Sequence, residues 1–160
     1  GLPATVTADV GAQRPGAVVD DYFHVLLGYG QLRVILHAGS LVRARVPHFE
    51  VHGDKGSFVK YGMDPQEAAL RSGGRPGDPG WGSEPSDRYG TITTEAAGLE
   101  VTGRLASVPG AYQAFYAGMA AAILGEGQVP VPPEEARNTI WMIECALRSS
   151  REGRVIQVAP

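Results

Sequence analysis

Hydrophobic and polar residues alternate over residues 4–10, with Val6, Ala8 and Val10 on one side and Thr5, Thr7 and Asp9 on the other. A period of two is that of a strand with one buried face, and the run predicts one. Gln13-Arg14-Pro15-Gly16 then breaks the pattern as a turn. Over residues 18–42 two apolar runs flank Gly28-Tyr29-Gly30-Gln31. A two-residue turn at Gly30-Gln31, opening on glycine, predicts a hairpin that pairs Tyr29 with Leu32 and, at its far end, Tyr22 with Gly39. One face of that hairpin carries Phe23, Val25, Leu27, Tyr29, Leu32, Val34, Leu36 and Ala38, apolar throughout and expected in the core. The other carries Tyr22, His24, Leu26, Arg33, Ile35 and His37. It is half apolar and half polar, as in a surface that meets a partner or lines a wet pocket.

Further strands are expected over residues 48–52 and 57–61, joined by Gly53-Asp54-Lys55-Gly56, and over 88–95 and 99–105, joined by Ala96-Ala97-Gly98. Asp64 and Pro65 suit the cap and first position of a short helix, and residues 72–87 form a Gly/Pro-rich loop carrying Trp81. Two helices follow. In the first, Tyr112, Phe115, Tyr116, Met119 and Ile123 recur at helical spacing as an expected core stripe, ended by Gly125 or Gly127. The second begins after Pro132-Pro133, has Glu134 and Glu135 at its positive end, and is expected to bury Ala136, Ile140, Ile143 and Leu147. Val155, Ile156 and Val158 add a last short strand. The predicted class is α+β: a mostly antiparallel open sheet of about six to eight strands with helices packed on one face.

Composition narrows the function classes. Apolar residues make up 43% and charged residues 19% of 160 positions, ordinary for one globular domain. Net charge is -3 and the fourteen basic residues form no stripe, which argues against nucleic acid. No apolar run nears the ~20 residues that cross a bilayer, so no membrane association is expected. The lone Cys145, between Ile143 and Leu147, is expected as a buried thiol and fits a reducing, cytoplasmic setting. The chain opens on Gly1 directly ahead of a strand, which reads as part of a longer chain. No Ser/His/Asp grouping or paired carboxylates suggest a self-sufficient hydrolase.

The ordered stretches carry a resemblance. They are Val19-Asp20-Asp21-Tyr22-Phe23-His24, His52-Gly53-Asp54-Lys55-Gly56-Ser57-Phe58-Val59-Lys60-Tyr61-Gly62, Asp64-Pro65-Gln66-Glu67, Trp81-Gly82 and Pro109-Gly110-Ala111-Tyr112-Gln113-Ala114-Phe115-Tyr116. Gly125-Glu126-Gly127, Pro130-Val131, Glu134-Glu135-Ala136 and Glu152-Gly153-Arg154 complete the series. Over essentially its whole length the chain resembles the C-terminal domain of the bacterial Gfo/Idh/MocA oxidoreductases, near their YdgJ-like branch. The resemblance implies a parent enzyme whose N-terminal Rossmann domain, absent from residues 1–160, binds NAD or NADP. It implies sugars, inositols or related polyols as substrates, and a homodimer formed through the sheet's outer face. Catalysis in that family is implied to use a lysine of a Glu-Lys-Pro motif, with an Asp and a His four residues apart on a helix.

This sequence has no Glu-Lys-Pro and no Gly-x-Gly-x-x-Gly, so the chain itself is expected to bind no cofactor and to hold no catalytic residue. Asp20 and His24 share the four-residue spacing, but they fall in a strand-like run, where four residues span ~13 Å, too far for a shared proton. Lys60, Tyr61 and Trp81 are candidates for the substrate cleft, because polyol sites combine aromatic faces with a few polar donors. Tyr22, His24, Leu26, Arg33, Ile35 and His37 are candidates for the dimer face. His24 and His37 face each other there as a stacked pair; a metal site would need further ligands, and none is expected. The alternative to an oxidoreductase half is a free-standing binding or dimerisation module built on the same sheet.

Overall fold

The computed structural model describes residues 1–158. The chain forms two compact units, one made of Gly1–Arg43 with the segment from Val131 onward, the other of Ala44–Pro130. Each contains a four-stranded antiparallel sheet, so the eight strands divide between two ladders. The α+β class and the antiparallel pairing expected from the sequence both hold.

In the first unit, β1 (Thr5–Gly11), β2 (Tyr22–Tyr29), β3 (Leu32–Gly39) and a short β8 (Ile156–Gln157) lie in the order β3-β2-β1-β8. The β2–β3 register runs from Tyr29 opposite Leu32 to Tyr22 opposite Gly39, as the turn chemistry predicts. Gly30 takes φ +61° at that turn, the left-handed region in which glycine carries no steric penalty. Helix α3 (Pro133–Glu152) packs on β1, and Val6, Val25, Leu27, Cys145, Ala146 and Ile156 form the core between them. Burial pushes the Cys145 thiol above its usual range, so it stays neutral and unreactive.

The β8 strand reaches only Thr5 and Val6, which would leave the rest of that edge of β1 bare. Two serines of α3 take over. Ala8 N–H donates to Ser149 Oγ at 3.0 Å, and Val10 N–H donates to Ser150 Oγ at 3.0 Å. Ser149 Oγ in turn donates to Arg154 O at 2.7 Å. These bonds fix the rotation of the helix, and they correct one expectation. The inward stripe is Trp141, Met142, Cys145, Ala146 and Ser149, whereas Ile140 and Ile143 are 57% and 53% exposed, Ala136 is exposed and Leu147 half-buried. Aliphatic size alone pointed to the wrong side, because a hydroxyl was needed where the strand edge lay. Ser149→Ala leaves the half-buried Ala8 amide without its acceptor and is expected to cost about 1 to 2 kcal/mol. Urea unfolding measures the loss, and faster hydrogen exchange at Ala8 localises it.

The apolar hairpin face is only partly core. Val25 and Leu27 are buried, but Phe23, Leu32 and Leu36 are exposed. β3 is an edge strand, and α3 lies along β1, so its cover does not extend that far.

In the second unit, β4 (Phe49–Gly53), β5 (Gly56–Lys60), β6 (Gly90–Ala96) and β7 (Leu99–Leu105) follow one another across the sheet. Two-residue turns at Asp54-Lys55 and Ala97-Gly98 join the outer pairs. Helix α1 (Gln66–Arg71) begins one residue later than predicted, with Pro65 rather than Asp64 at the cap, and Asp64 Oδ1 accepts the Gln66 N–H at 2.7 Å. Helix α2 (Tyr112–Ile123) also forms, but its stripe is not core: Phe115, Tyr116 and Ile123 are 45%, 72% and 80% exposed, Tyr112 is exposed, and Met119 is half-buried. The helix is apolar nearly all round, so its periodicity marked no inner side, and among the described residues no helix or strand packs closely along it.

Candidate functional site

The exposed face of the first sheet brings chemistry together across three strands. Pairing of β1 with β2 sets Asp9 opposite His24, and pairing of β2 with β3 sets His24 opposite His37. The two imidazoles lie 5.4 Å apart between centroids, and Tyr22 meets His37 edge-on at 5.6 Å. His37 Nδ1 lies 3.1 Å from Phe23 O, which can only accept, so Nδ1 carries the proton. Arg33 folds back onto the hairpin turn, donating to Gly30 O and Leu32 O, while Leu26 is half-buried and Ile35 is 61% exposed. Asp9 is the member that sequence reasoning missed, since only the β1–β2 register reveals it. Among the described residues no group of three or more His, Cys, Asp or Glu side chains is arranged to hold a metal ion. Asp20 precedes β2 and shares no element with His24.

The three cleft candidates all lie in the second unit, in different surroundings. Lys60, at the end of β5, donates to Glu84 Oε1 at 2.9 Å, to Glu84 Oε2 at 2.7 Å and to Arg88 O at 3.0 Å. The Lys60 and Glu84 side chains are only 12% and 4% exposed, so the lysine is a buried counter-ion rather than a solvated strand end. Burial alone would raise the Glu84 carboxyl. Hydrogen bonds from Lys60 and Ser107 and the charges of Lys60 and Arg88 outweigh it and hold the group below the usual carboxylate range. Tyr61, the next residue, is exposed and borders a cavity, with the Arg45 guanidinium 5.8 Å above its ring.

Trp81 is part of a polar knot. Its indole N–H donates to Gln66 Oε1 at 2.9 Å and to Gln113 Oε1 at 3.2 Å. Gln66, 1% exposed, also accepts the Tyr112 N–H at 2.8 Å and donates its amide to Asp64 at 3.0 Å. Two glycines close the knot: Gly110 N–H donates to Gly82 O at 3.1 Å. A Cβ on Gly110 would stand 1.9 Å from Asp64 Oδ2, and one on Gly82 would stand 2.0 Å from Gly110 O. No larger residue fits at either place. Gln66 is a functional candidate that sequence reasoning missed, because nothing in its neighbourhood along the chain sets it apart.

Comparison with known proteins places this geometry. A model of the oxidoreductase family's C-terminal alpha/beta domain, Gfo/Idh/MocA, matches residues 1–158. The chain belongs to that family. It is 44% identical over 158 residues to the scyllo-inositol 2-dehydrogenase (NADP(+)) IolW of Bacillus subtilis, covering 99% of this chain and 44% of that protein. It is 40% identical over 159 residues to the uncharacterized oxidoreductase YdgJ of Escherichia coli, covering 99% of this chain and 45% of that one. The solved structure of yvaA from Bacillus subtilis superposes with a TM-score of 0.95 at 43% identity, over 99% of this chain and 46% of that chain. An oxidoreductase from Bacillus cereus superposes with a TM-score of 0.88 at 33% identity, over 100% of this chain and 47% of that one. The chain therefore spans less than half the length of the relatives it matches.

Within this Gfo/Idh/MocA domain the stretches that carried the resemblance have a physical meaning. Asp64-Pro65-Gln66, Trp81-Gly82 and Pro109 to Gln113 are distant in sequence yet converge on the Gln66 amide. Among the described residues every ladder is antiparallel. Among the described residues no helix is long and apolar enough to cross a membrane.

Proposed function

We propose that this chain is the substrate-side and dimer-forming domain of a cytoplasmic, nicotinamide-dependent oxidoreductase acting on an inositol, sugar or related polyol, with NAD or NADP held by residues outside it. The observation that carries this reading is the 44% identity to an enzyme named scyllo-inositol 2-dehydrogenase (NADP(+)), sustained over 99% of the chain. Lys60 and Trp81 contribute to the pocket wall by fixing its backbone, as their polar atoms are already bonded. Tyr61 is the candidate free to touch a ligand. The protein carrying this chain is expected to reduce NADP or NAD when given scyllo-inositol, myo-inositol or glucose, followed by nicotinamide absorbance. Silence with every polyol and both cofactors would count against the assignment.

The dimer face is assigned to Tyr22, His24, Leu26, Arg33, Ile35 and His37. A side chain such as Ile35, 61% exposed in the middle of a strand, gains most from a mate. By light scattering the wild type is expected to be a dimer, and Leu26→Asp and Ile35→Asp monomers, since each would bury an unpaired carboxylate. Equal mass for all three proteins rejects the interface.

A further inference from the structure

Arg45, Arg88 and Arg104 take part in none of the ion pairs among the described residues, yet they line one cavity of about 250 Å³ in the second unit. The floor is a row in register: Val59 on β5 faces Thr91 on β6, which faces Arg104 on β7. The arginines are held from different directions. Arg104 donates to Tyr89 O at 3.1 Å, Arg45 lies over the Tyr61 ring, and the Arg88 carbonyl is tied down by Lys60. Lys60 itself is neutralised by Glu84, so its charge adds nothing to the balance. One acidic residue, Asp87, lines the same cavity, and three arginines against it leave a surplus of two positive charges. Gathering like charges is unfavourable unless an anion shares the site, and the planar guanidinium fork matches phosphate oxygens two at a time.

We propose that this cavity binds the phosphate group of a small phosphorylated ligand of the sugar or polyol phosphate class. Two surplus positive charges match a phosphate dianion. The volume exceeds what a bare phosphate fills, and the Tyr61 and Tyr89 rings offer faces for a ring-shaped body. The site lies wholly within one unit and needs no cofactor, so its failure would leave the oxidoreductase reading untouched.

Calorimetry on the chain at low salt, with glucose 6-phosphate, inorganic phosphate, citrate and glucose as probes, tests it. Glucose 6-phosphate is expected to bind, inorganic phosphate to bind more weakly, and glucose and citrate to give no heat. Arg45→Gln, Arg88→Gln and Arg104→Gln should each weaken glucose 6-phosphate about tenfold, the loss of one charge-assisted hydrogen bond. Arg71→Gln, whose partner Glu67 lies on its own helix, should change nothing. Among the described residues Arg45 contacts the Tyr61 ring and takes part in no ion pair, so its variant keeps the test valid if Arg104→Gln unfolds. Absence of heat with both phosphates, equal binding of citrate, or unchanged affinity in the Arg45→Gln/Arg88→Gln double variant overturns the proposal. So does a change in mass with the arginine variants, which would assign the cluster to a second copy of the chain.

Discussion

Gln66→Leu is expected to destabilise the second unit by about 1 to 3 kcal/mol, because it removes the acceptor for two half-buried donors without changing the volume they enclose. The donors are the Trp81 indole N–H and the Tyr112 backbone N–H, and both point at the same Oε1. Trp81 retains its weaker bond to Gln113, which limits its share. Tyr112 has no such reserve and sits at the first turn of α2, so that helix should fray first. A Trp141→Phe background leaves Trp81 as the only indole, and its emission in urea then reports this unit alone. Gly110→Ala attacks the same knot from another side, since its methyl would overlap Asp64 and the Gln66 amide. Midpoints unchanged by both substitutions would show that the hydrogen bonds at Gln66 do not organise the unit.

That knot also shows what a lone sequence can and cannot disclose. The β2–β3 hairpin was legible because turn residues and alternation act within a few positions of each other. The Asp54-Lys55 turn was legible for the same reason. Gln66 was not, because its partners come from residues 64, 81 and 112, and nothing local makes that glutamine unusual. The rotation of α3 was misread because two serines, polar by type, turn inward to finish the edge of β1. In α2 the hydrophobic pattern gave no inner side, since almost every position is apolar. Asp9 joined the histidine row only through pairing with a strand that begins thirteen residues later. Family resemblance compensates for part of this blindness. It recognises Asp64, Gln66, Trp81 and Gly110 as a set without knowing that they touch.

Lys60→Met is expected to cost about 3 to 5 kcal/mol near neutral pH, because it leaves the Glu84 carboxylate buried without its cation. Glu84 is 4% exposed, and the remaining favourable contacts, from Ser107 and the more distant Arg88, are too few to hold the charge. The sign of the pH dependence separates this cause from lost packing. In the wild type the carboxyl titrates below the usual carboxylate range, so its contribution is present above that range and fades as pH falls through the lower, folded value. In the variant only Ser107 and Arg88 oppose burial, so the carboxyl moves up relative to the wild type, takes up its proton at higher pH, and the penalty shrinks on acidification. The gap between wild type and variant in urea should therefore narrow from about pH 7 to about pH 4. Lys60→Met/Glu84→Gln should recover much of the loss at neutral pH, because the uncompensated charge is gone. A gap that stays constant across that range, with no recovery in the double variant, would assign the role of Lys60 to its aliphatic stem and the Arg88 carbonyl rather than to its charge.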